Sequence, residues 1–224
     1  MINKKSIFLK DFLLGKFDYK SHDHFVQVDQ KWCEKEIFLQ QETYQAFFRM
    51  AEAAKNDGID LKIVSGTRNF EEQKTIWERK WNANKVEVKS EMENARKILM
   101  YSSMPGTSRH HWGTDIDINS VEEEYFRESK GKKEYQWLVN HASQFGFCQV
   151  YSDPTKTKRT GYKEEVWHWS YMPLSHNYLN EYLEKISEDD LSGFQGCETA
   201  KEIKIIQNFV KGIDSSCESL TREI

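Results

Sequence analysis

Apolar side chains recur at helical spacing through much of the chain. Tyr44, Phe47, Phe48 and Ala51 recur at positions i, i+3, i+4 and i+7, and this amphipathic stripe predicts a helix from about 40 to 56. Similar patterns predict helices at 69–82, 87–102 and 135–145, and Asn69 is the expected N-cap of the first of these three. The last fifty residues also have a helical pattern.

Four shorter segments have the apolar, β-branched and aromatic character of strands: Leu61–Ser65, Thr114–Ile118, Phe147–Tyr151 and Val166–Met172. A polar loop at 152–163 separates the last two, and residues 1–35 are predicted to be an irregular arm. Helices mixed with a few separated strands indicate an α+β fold. We expect a small, largely antiparallel central sheet flanked by helices.

The composition of the 224-residue chain is that of an ordered globular protein, with 7 Trp, 10 Tyr and 13 Phe but only 3 Pro. The charges are nearly balanced, with 32 basic and 36 acidic residues and a formal net charge of −4. Nucleic-acid-binding proteins usually carry a basic excess, so we expect no nucleic-acid partner. No apolar run approaches the roughly 18 residues of a membrane span, so we also expect no transmembrane segment.

Two further features bear on the compartment. Lys10, Asp11 and Lys16 interrupt the short apolar patch near the N-terminus, and no small-residue cleavage site follows, so no signal peptide is predicted. The four cysteines, which form no CxxC pair, are Cys33, Cys148, Cys197 and Cys217. They are compatible both with disulfides in an exported protein, in any of three pairings, and with four buried thiols.

The densest cluster of reactive side chains lies between Ser108 and Asp117. His110, His111, Asp115 and Asp117 place two imidazoles and two carboxylates within eight residues. Histidine and aspartate are good zinc ligands, and three protein ligands plus water form a catalytic zinc site. Such a cluster is also found in ordinary surface or capping pairs, so the spacing alone leaves both interpretations open.

A second cluster follows at Glu165-Val166-Trp167-His168-Trp169. It offers a third histidine ligand with a carboxylate close to it, although tryptophans at alternating strand positions are usually core residues. In a regular strand, residues three apart point to opposite faces. Glu165 and His168 can therefore converge only if the chain bends near Glu165.

In order and spacing, these residues resemble the motifs of the VanY-like D-alanyl-D-alanine carboxypeptidases, a family of zinc peptidases. The first motif, Ser-x-His-x-x-Gly-x-x-x-Asp, is matched by Ser108, His110, Gly113 and Asp117, and the later Glu-x-x-His motif by Glu165 and His168. An upstream segment, Ser65-Gly66-Thr67-Arg68 followed by Gln73, resembles the substrate-binding segment of the family. Tyr151 falls near the position of a family tyrosine that faces the substrate.

The resemblance, which spans about 38 to 171, implies a site and a reaction. Zn²⁺ would be held by His110, Asp117 and His168, with Glu165 as the catalytic base. Arg68 would stabilise the oxyanion or hold a peptide carboxylate, and the substrate would also contact Gln73, Ser108 and Tyr151. The implied α+β fold has a central antiparallel sheet, shared with the hedgehog amino-terminal domain. We therefore divide the chain into an N-terminal arm (1–35), a zinc peptidase domain (36–175) and a helical C-terminal extension packed on the core (176–224).

The chain departs from the family pattern at two positions. Asp115 stands where the family usually has a small residue, and it can either orient a ligand histidine or compete with Asp117 for the metal. His111 is in the same way a rival of His110. The stretch between Trp77 and Ser102 is longer than in a minimal member of the family, and it is expected to form part of the cleft wall.

The resemblance implies a D,D-carboxypeptidase that removes the terminal residue of a D-Ala-D-Ala type bond in peptidoglycan stem peptides. An endopeptidase or an L,D-carboxypeptidase of the same family is the alternative, and a zinc-stabilised binding module without turnover is a third possibility. Each of these enzymatic functions implies that the protein acts in the periplasm, outside the cell or in the cell envelope. The sequence does not decide the oligomeric state.

Overall fold

The computed structural model describes residues 4–221, without the side chains of residues 4–8. Over this range the α-helices are α1 (Lys4–Leu13), α2 (Gln41–Asn56), α3 (Phe70–Asn84), α4 (Glu91–Ile98), α5 (Glu123–Arg127), α6 (Ser129–His141), α7 (Pro154–Thr157), α8 (Met172–Lys185) and α9 (Thr199–Ile203). The strands are β1 (Phe25–Gln27), β2 (Phe38–Gln40), β3 (Ile63–Ser65), β4 (Asp115–Ile118), β5 (Phe147–Cys148) and β6 (His168–Tyr171). Short 3₁₀ turns include Arg109–Trp112 and Ser215–Thr221, and residues 206–210 form a π-helical turn.

The predicted α+β fold is confirmed. The strands β3, β4, β6 and β5 form a four-stranded sheet in that order, and every neighbouring pair in it is antiparallel. The strands β1 and β2 form a separate antiparallel pair. In the central pair of the larger sheet, Asp117 lies directly opposite His168, so two of the predicted metal ligands come from neighbouring strands.

The two helices α2 and α3 match their predictions closely. The stripe of α2 buries Phe47, Met50 and Ala51 against the sheet side of the core, whereas Phe48 stays 45% exposed. The helix α3 begins with a capping box, in which the Asn69 side chain accepts from the Glu72 N–H and the Glu72 carboxylate accepts from the Asn69 N–H. This cap fixes the point at which the chain turns from β3 into α3.

The prediction of an irregular N-terminal arm was wrong, because helix α1 and strand β1 lie within residues 1–35. Residues 1–3 are outside the described range. The end of α1 is buried, with Leu13 fully inaccessible and Phe12 and Leu14 nearly so. Charged residues at positions 10 and 11 interrupt the apolar pattern of this segment, which hid its helical character.

Other predicted elements are present but shorter. In place of the helix predicted at 87–102, the structure has the shorter α4. This helix begins at Glu91, because Ser90 caps it by accepting from the Glu93 N–H. The strand predicted at 147–151 is only two residues long, and the polar loop that follows it contains the single turn α7. None of the described helices is long and apolar enough to cross a membrane.

The core extends beyond the segment that carries the motifs. One of its two apolar clusters contains Leu13 from α1, Trp112 beside the first motif, Tyr182 from α8 and Cys217 near the C-terminus. Cys217 forms a disulfide with Cys148 of β5, while Cys33 and Cys197 are free thiols. The four cysteines are therefore neither all paired in disulfides nor all free thiols. The proposed domain boundaries stay a prediction.

Candidate active site

The residues predicted from the two motifs line a single cleft of about 570 Å³. His110 reaches it from the 3₁₀ turn before β4, Asp117 from β4 itself, and His168 from the first position of β6. One donor atom from each of these three residues lies within 4.8 Å of the other two. All three side chains are buried, so their geometry is held by the fold.

The donor atoms that face each other can be identified from the distances. Nε2 of His110 lies 3.5 Å from Oδ1 of Asp117, and Nδ1 of His168 lies 3.0 Å from the same oxygen. The second nitrogen of each ring is engaged elsewhere. Nδ1 of His110 donates to the Gly66 carbonyl at 2.8 Å, and Nε2 of His168 donates to Oδ1 of Asp115 at 3.1 Å. Metal-binding histidines are usually oriented by such partners.

Asp115 is turned away from the cleft and held in a buried network. Its carboxylate accepts from Nε of Arg109 at 2.9 Å and from Oγ1 of Thr114 at 2.6 Å, besides His168. Burial raises the pKa of this carboxyl, but Arg109 and His168 more than offset that effect, and the pKa is held well below its usual range. Asp115 is therefore placed to orient His168, whereas Asp117 lines the cleft.

His111 is excluded from the cluster by its own hydrogen bonds. Its Nδ1 atom donates to the Arg68 carbonyl at 2.7 Å, and its Nε2 atom accepts from the Gly106 N–H at 3.1 Å. Burial lowers its pKa to about 3, so the ring is neutral and both nitrogens are used. This side chain stabilises the chain around the site rather than facing the cleft.

Glu165 lies beside the three candidate ligands. The chain turns at this point, with the His168 N–H donating to the Glu165 carbonyl at 3.2 Å, and β6 begins only at His168. The predicted bend is thus confirmed, and Oε2 of Glu165 lies 3.9 Å from Nδ1 of His168. Burial raises the pKa of Glu165 to about 7, although His168 opposes the rise. A carboxyl with such a pKa can both accept and return a proton near neutral pH.

His168 is flanked by two carboxylates. Burial alone would lower its pKa. The hydrogen bonds with Asp115 and Asp117 outweigh that effect and raise the pKa to about 9. A metal cation at Nδ1 would take the place of the proton there, since only a neutral imidazole binds metal. The ring of Tyr151 stacks on the His168 ring with centroids 4.6 Å apart, which further limits its motion.

Arg68 and its neighbours form the adjoining part of the cleft. The guanidinium donates from Nε to Oε1 of Gln73 at 3.1 Å and from Nη1 to Oγ of Ser65 at 2.5 Å. The amide nitrogen of Gln73 donates in turn to the Ser103 carbonyl, so the Gln73 amide is already bonded at both ends. Ser108 is different, because its buried hydroxyl has no hydrogen-bond partner among the described residues and it lines the cleft.

Several residues of this site were not predicted from the sequence. Arg109 anchors Asp115, and the Gly66 carbonyl orients His110. Arg109 stands inside the first motif, so its position offered a signal, but a buried guanidinium is recognised only when its partners are known. Lys80 and Ser102 also line the cleft, as expected of a wall formed by the long stretch between Trp77 and Ser102.

Comparisons with known proteins give a consistent result. The family model described as VanY, D-alanyl-D-alanine carboxypeptidase, matches residues 36–174. A D-alanyl-D-alanine carboxypeptidase of Enterococcus faecalis is 32% identical over 123 residues, which are 55% of this chain and 44% of that protein. The chain thus covers less than half of that relative's length.

Two solved structures are similar in fold and sequence. One is a single-residue mutant of the vancomycin resistance D,D-pentapeptidase VanY in complex with Zn(II), with a TM-score of 0.52 and 27% identity, covering 70% of this chain and 89% of that one. The other is VanYB in complex with D-alanine-D-alanine, with a TM-score of 0.54 and 26% identity, covering 72% and 91%.

Proposed function

Because the chain belongs to the VanY family of D-alanyl-D-alanine carboxypeptidases, we propose that it is a zinc-dependent D,D-carboxypeptidase. Its substrate is the terminal D-Ala-D-Ala type bond of peptidoglycan stem peptides. The observation that carries the proposal is the convergence of His110, Asp117 and His168 with Glu165 in one cleft. This set supplies three metal ligands and a base in a site with room for a peptide.

The donor set fits zinc. Two imidazole nitrogens and one carboxylate oxygen form the ligand set of many catalytic zinc sites and leave a position for water. The second ring nitrogens of His110 and His168 are bonded to Gly66 and Asp115, which would leave Nε2 of His110 and Nδ1 of His168 to hold the metal. When bound, Zn²⁺ would act as a Lewis acid, polarising the scissile carbonyl and lowering the pKa of a metal-bound water to about 7.

Glu165 acts as general base and then as general acid. Its carboxylate takes a proton from the attacking water and passes it to the nitrogen of the leaving residue. The buried position that raises its pKa to about 7 suits both steps, because the group is neither too weak a base nor too weak an acid. A bound cation nearby lowers this pKa again by favouring the carboxylate.

Arg68, Ser108 and Tyr151 bind the substrate. The Arg68 guanidinium, held by Gln73 and Ser65, stabilises the negative charge that develops on the scissile carbonyl oxygen. The unpartnered hydroxyl of Ser108 donates to the peptide. Gln73 acts mainly by positioning Arg68, since its own amide is bonded at both ends. Tyr151 packs on His168 and lines the cleft.

Stem peptides of peptidoglycan are the proposed partner, so we place the protein in the periplasm, outside the cell or in the cell envelope. The disulfide between Cys148 and Cys217 supports this location, because disulfides persist in oxidising compartments.

The proposal is tested by digesting purified muropeptides with the zinc-loaded protein and identifying the products by mass spectrometry. Loss of one terminal D-alanine from pentapeptide stems, abolished by a chelator and restored by zinc, is the expected result. Cleavage within the stem, or trimming of tetrapeptide stems alone, would instead assign an endopeptidase or an L,D-carboxypeptidase. A protein that binds stoichiometric zinc but releases nothing would be a binding module.

A further inference from the structure

The cleft contains a second cationic side chain in addition to Arg68. Lys80 lies on α3, seven residues after Gln73 and four after Ile76, so the three residues share one helix face. All three line the cleft. The Lys80 ammonium donates to Oγ of Ser102 at 2.5 Å, and Ser102 is buried.

The segment 100–103 is tied to α3 by hydrogen bonds. Besides the bond from Lys80 to Ser102, the Gln73 amide donates to the Ser103 carbonyl at 2.8 Å. The same segment is held from another side, because the Lys163 N–H donates to the Met100 carbonyl at 3.0 Å. The ammonium and the Ser102 hydroxyl are therefore held side by side rather than left on a mobile surface.

The Lys80 ammonium has no carboxylate partner within salt-bridge distance among the described residues. Burial lowers its pKa, and the positive charges of Arg79 and Arg68 lower it further, whereas Glu165 raises it. A partly buried cation in such surroundings is stabilised by an anionic ligand. A lysine that merely extends its ammonium into bulk water would show less desolvation and no fixed hydroxyl partner.

The chemistry of the substrate supplies such an anion at the required place. In a peptide cut at its last bond, the terminal carboxylate lies within about 4 Å of the scissile nitrogen, as standard bond lengths dictate. Glu165 must reach the same nitrogen to protonate it, and Glu165, Lys80 and Ser102 all line this one cleft. The terminal carboxylate of a peptide positioned for attack therefore lies in the cleft that Lys80 and Ser102 line.

We propose that Lys80, together with Ser102, binds the terminal carboxylate of the substrate and so restricts the cleft to removal of a C-terminal residue. This inference rests on the proposed function and deepens it, since it assigns Arg68 to the scissile carbonyl and Lys80 to the chain end. Lys80 is thus a specificity-determining residue rather than a group that takes part in proton transfer.

The test compares two substrates that differ only at the chain end. One is a stem-like peptide that ends in D-Ala-D-Ala with a free carboxylate, and the other is the same peptide with a terminal carboxamide. The wild-type protein is expected to prefer the acid by about 10- to 100-fold in kcat/KM, the range for a hydrogen bond to a charged group. Lys80→Met should remove most of this preference, by lowering kcat/KM for the acid and leaving that for the amide nearly unchanged.

The ratio of the two kcat/KM values does not depend on how much of a preparation is folded, so a destabilised variant still gives an answer. Arg79→Met is the matched control, because it removes the neighbouring positive charge from the exposed side of the same helix and should keep the wild-type ratio. Equal hydrolysis of acid and amide by the wild type would overturn the inference, as would an unchanged ratio in Lys80→Met. Failure of the wild type to cut either peptide would instead overturn the proposed function.

Discussion

Asp115 and Asp117 stand two positions apart on β4 and point to the same side of the sheet, yet their oxygens have different surroundings. Asp117 meets two ring nitrogens at the edge of the cleft, whereas Asp115 is enclosed by Arg109, Thr114 and the far nitrogen of His168. The first arrangement suits a ligand, and the second suits a group that orients a ligand.

The Asp115→Asn variant separates these two roles. We expect the affinity for zinc to fall by about 10- to 100-fold, the usual effect of losing a partner of a metal-binding histidine. Stability should fall by about 3–5 kcal/mol, because the Arg109 guanidinium is left buried without its counter-charge. Competition titration with a zinc chelator and denaturant unfolding measure the two effects. Asp117→Asn should lose zinc more completely, and the reverse order would exchange the roles of the two aspartates.

The role of Glu165 as the base can be tested by a single substitution. Glu165→Gln keeps the shape of the side chain but cannot take a proton, so we expect turnover to fall by about 10²- to 10⁴-fold while zinc still binds stoichiometrically. Steady-state kinetics and metal analysis test this directly. Glu164→Gln is the control, because its partly exposed side chain does not line the cleft. Near-normal turnover in the Glu165 variant would remove it from the mechanism.

The sequence predicted which residues form the site, but not which hydrogen-bond partners each of their side chains has. The resemblance to the family motifs selected His110, Asp117 and His168, and these three residues do lie together in the structure. The choice between His110 and His111 depends on carbonyl partners at Gly66 and Arg68, which lie more than forty residues away along the chain. Such long-range hydrogen bonds leave no local pattern, and the same holds for the pairing of Lys80 with Ser102.

At the scale of elements, local signals were reliable where the pattern was long or the cap was explicit. The stripe of α2 and the cap at Asn69 predicted their helices to within about two residues. The helix α1 was missed because tertiary packing, rather than its own pattern, keeps it in place. Its terminal Leu13 carbonyl accepts from the indole N–H of Trp112 at 3.1 Å, and this contact cannot be foreseen from the segment itself.

The disulfide joins two elements that are far apart in the sequence. It links β5 to the last 3₁₀ turn, and close by the Asp214 N–H donates to the Val150 carbonyl. We expect Cys217→Ser to lower stability by about 2–4 kcal/mol, measured by thermal unfolding. Cys197→Ser, which removes a partly exposed free thiol, should change little. Reductant should destabilise the wild type but not the Cys217 variant, and equal sensitivity of both would contradict the structural role of this bond.

For the whole molecule, the segments outside the matched family region complete the core around the site. Leu13 from the N-terminal side and Tyr182 from the C-terminal side both contact the stretch that carries His110. The Tyr182 hydroxyl donates to the Gly106 carbonyl at 2.8 Å, and the Trp112 indole donates to Leu13. The resemblance covered only the region of the motifs, so it gave no information about this support.

Leu13→Ala tests the contribution of the N-terminal segment. We expect a loss of about 2–5 kcal/mol, the range for truncating a fully buried leucine, observed as a lower midpoint in denaturant unfolding. Phe48→Ala is a suitable control, because Phe48 is 45% exposed and surface changes usually stay within about 0.5 kcal/mol. A change no larger than that of the control would show that α1 is dispensable.

The pairing of β4 with β6 has one more consequence. Asp117 and His168 are direct cross-strand partners, and a slip of one residue would turn one of them to the opposite face of the sheet. A chain folded with the wrong strand alignment could therefore not assemble the three-ligand cluster, however compact it was. The zinc bound per polypeptide is then a quality measure for any preparation, because it counts the molecules in which these two strands are correctly aligned.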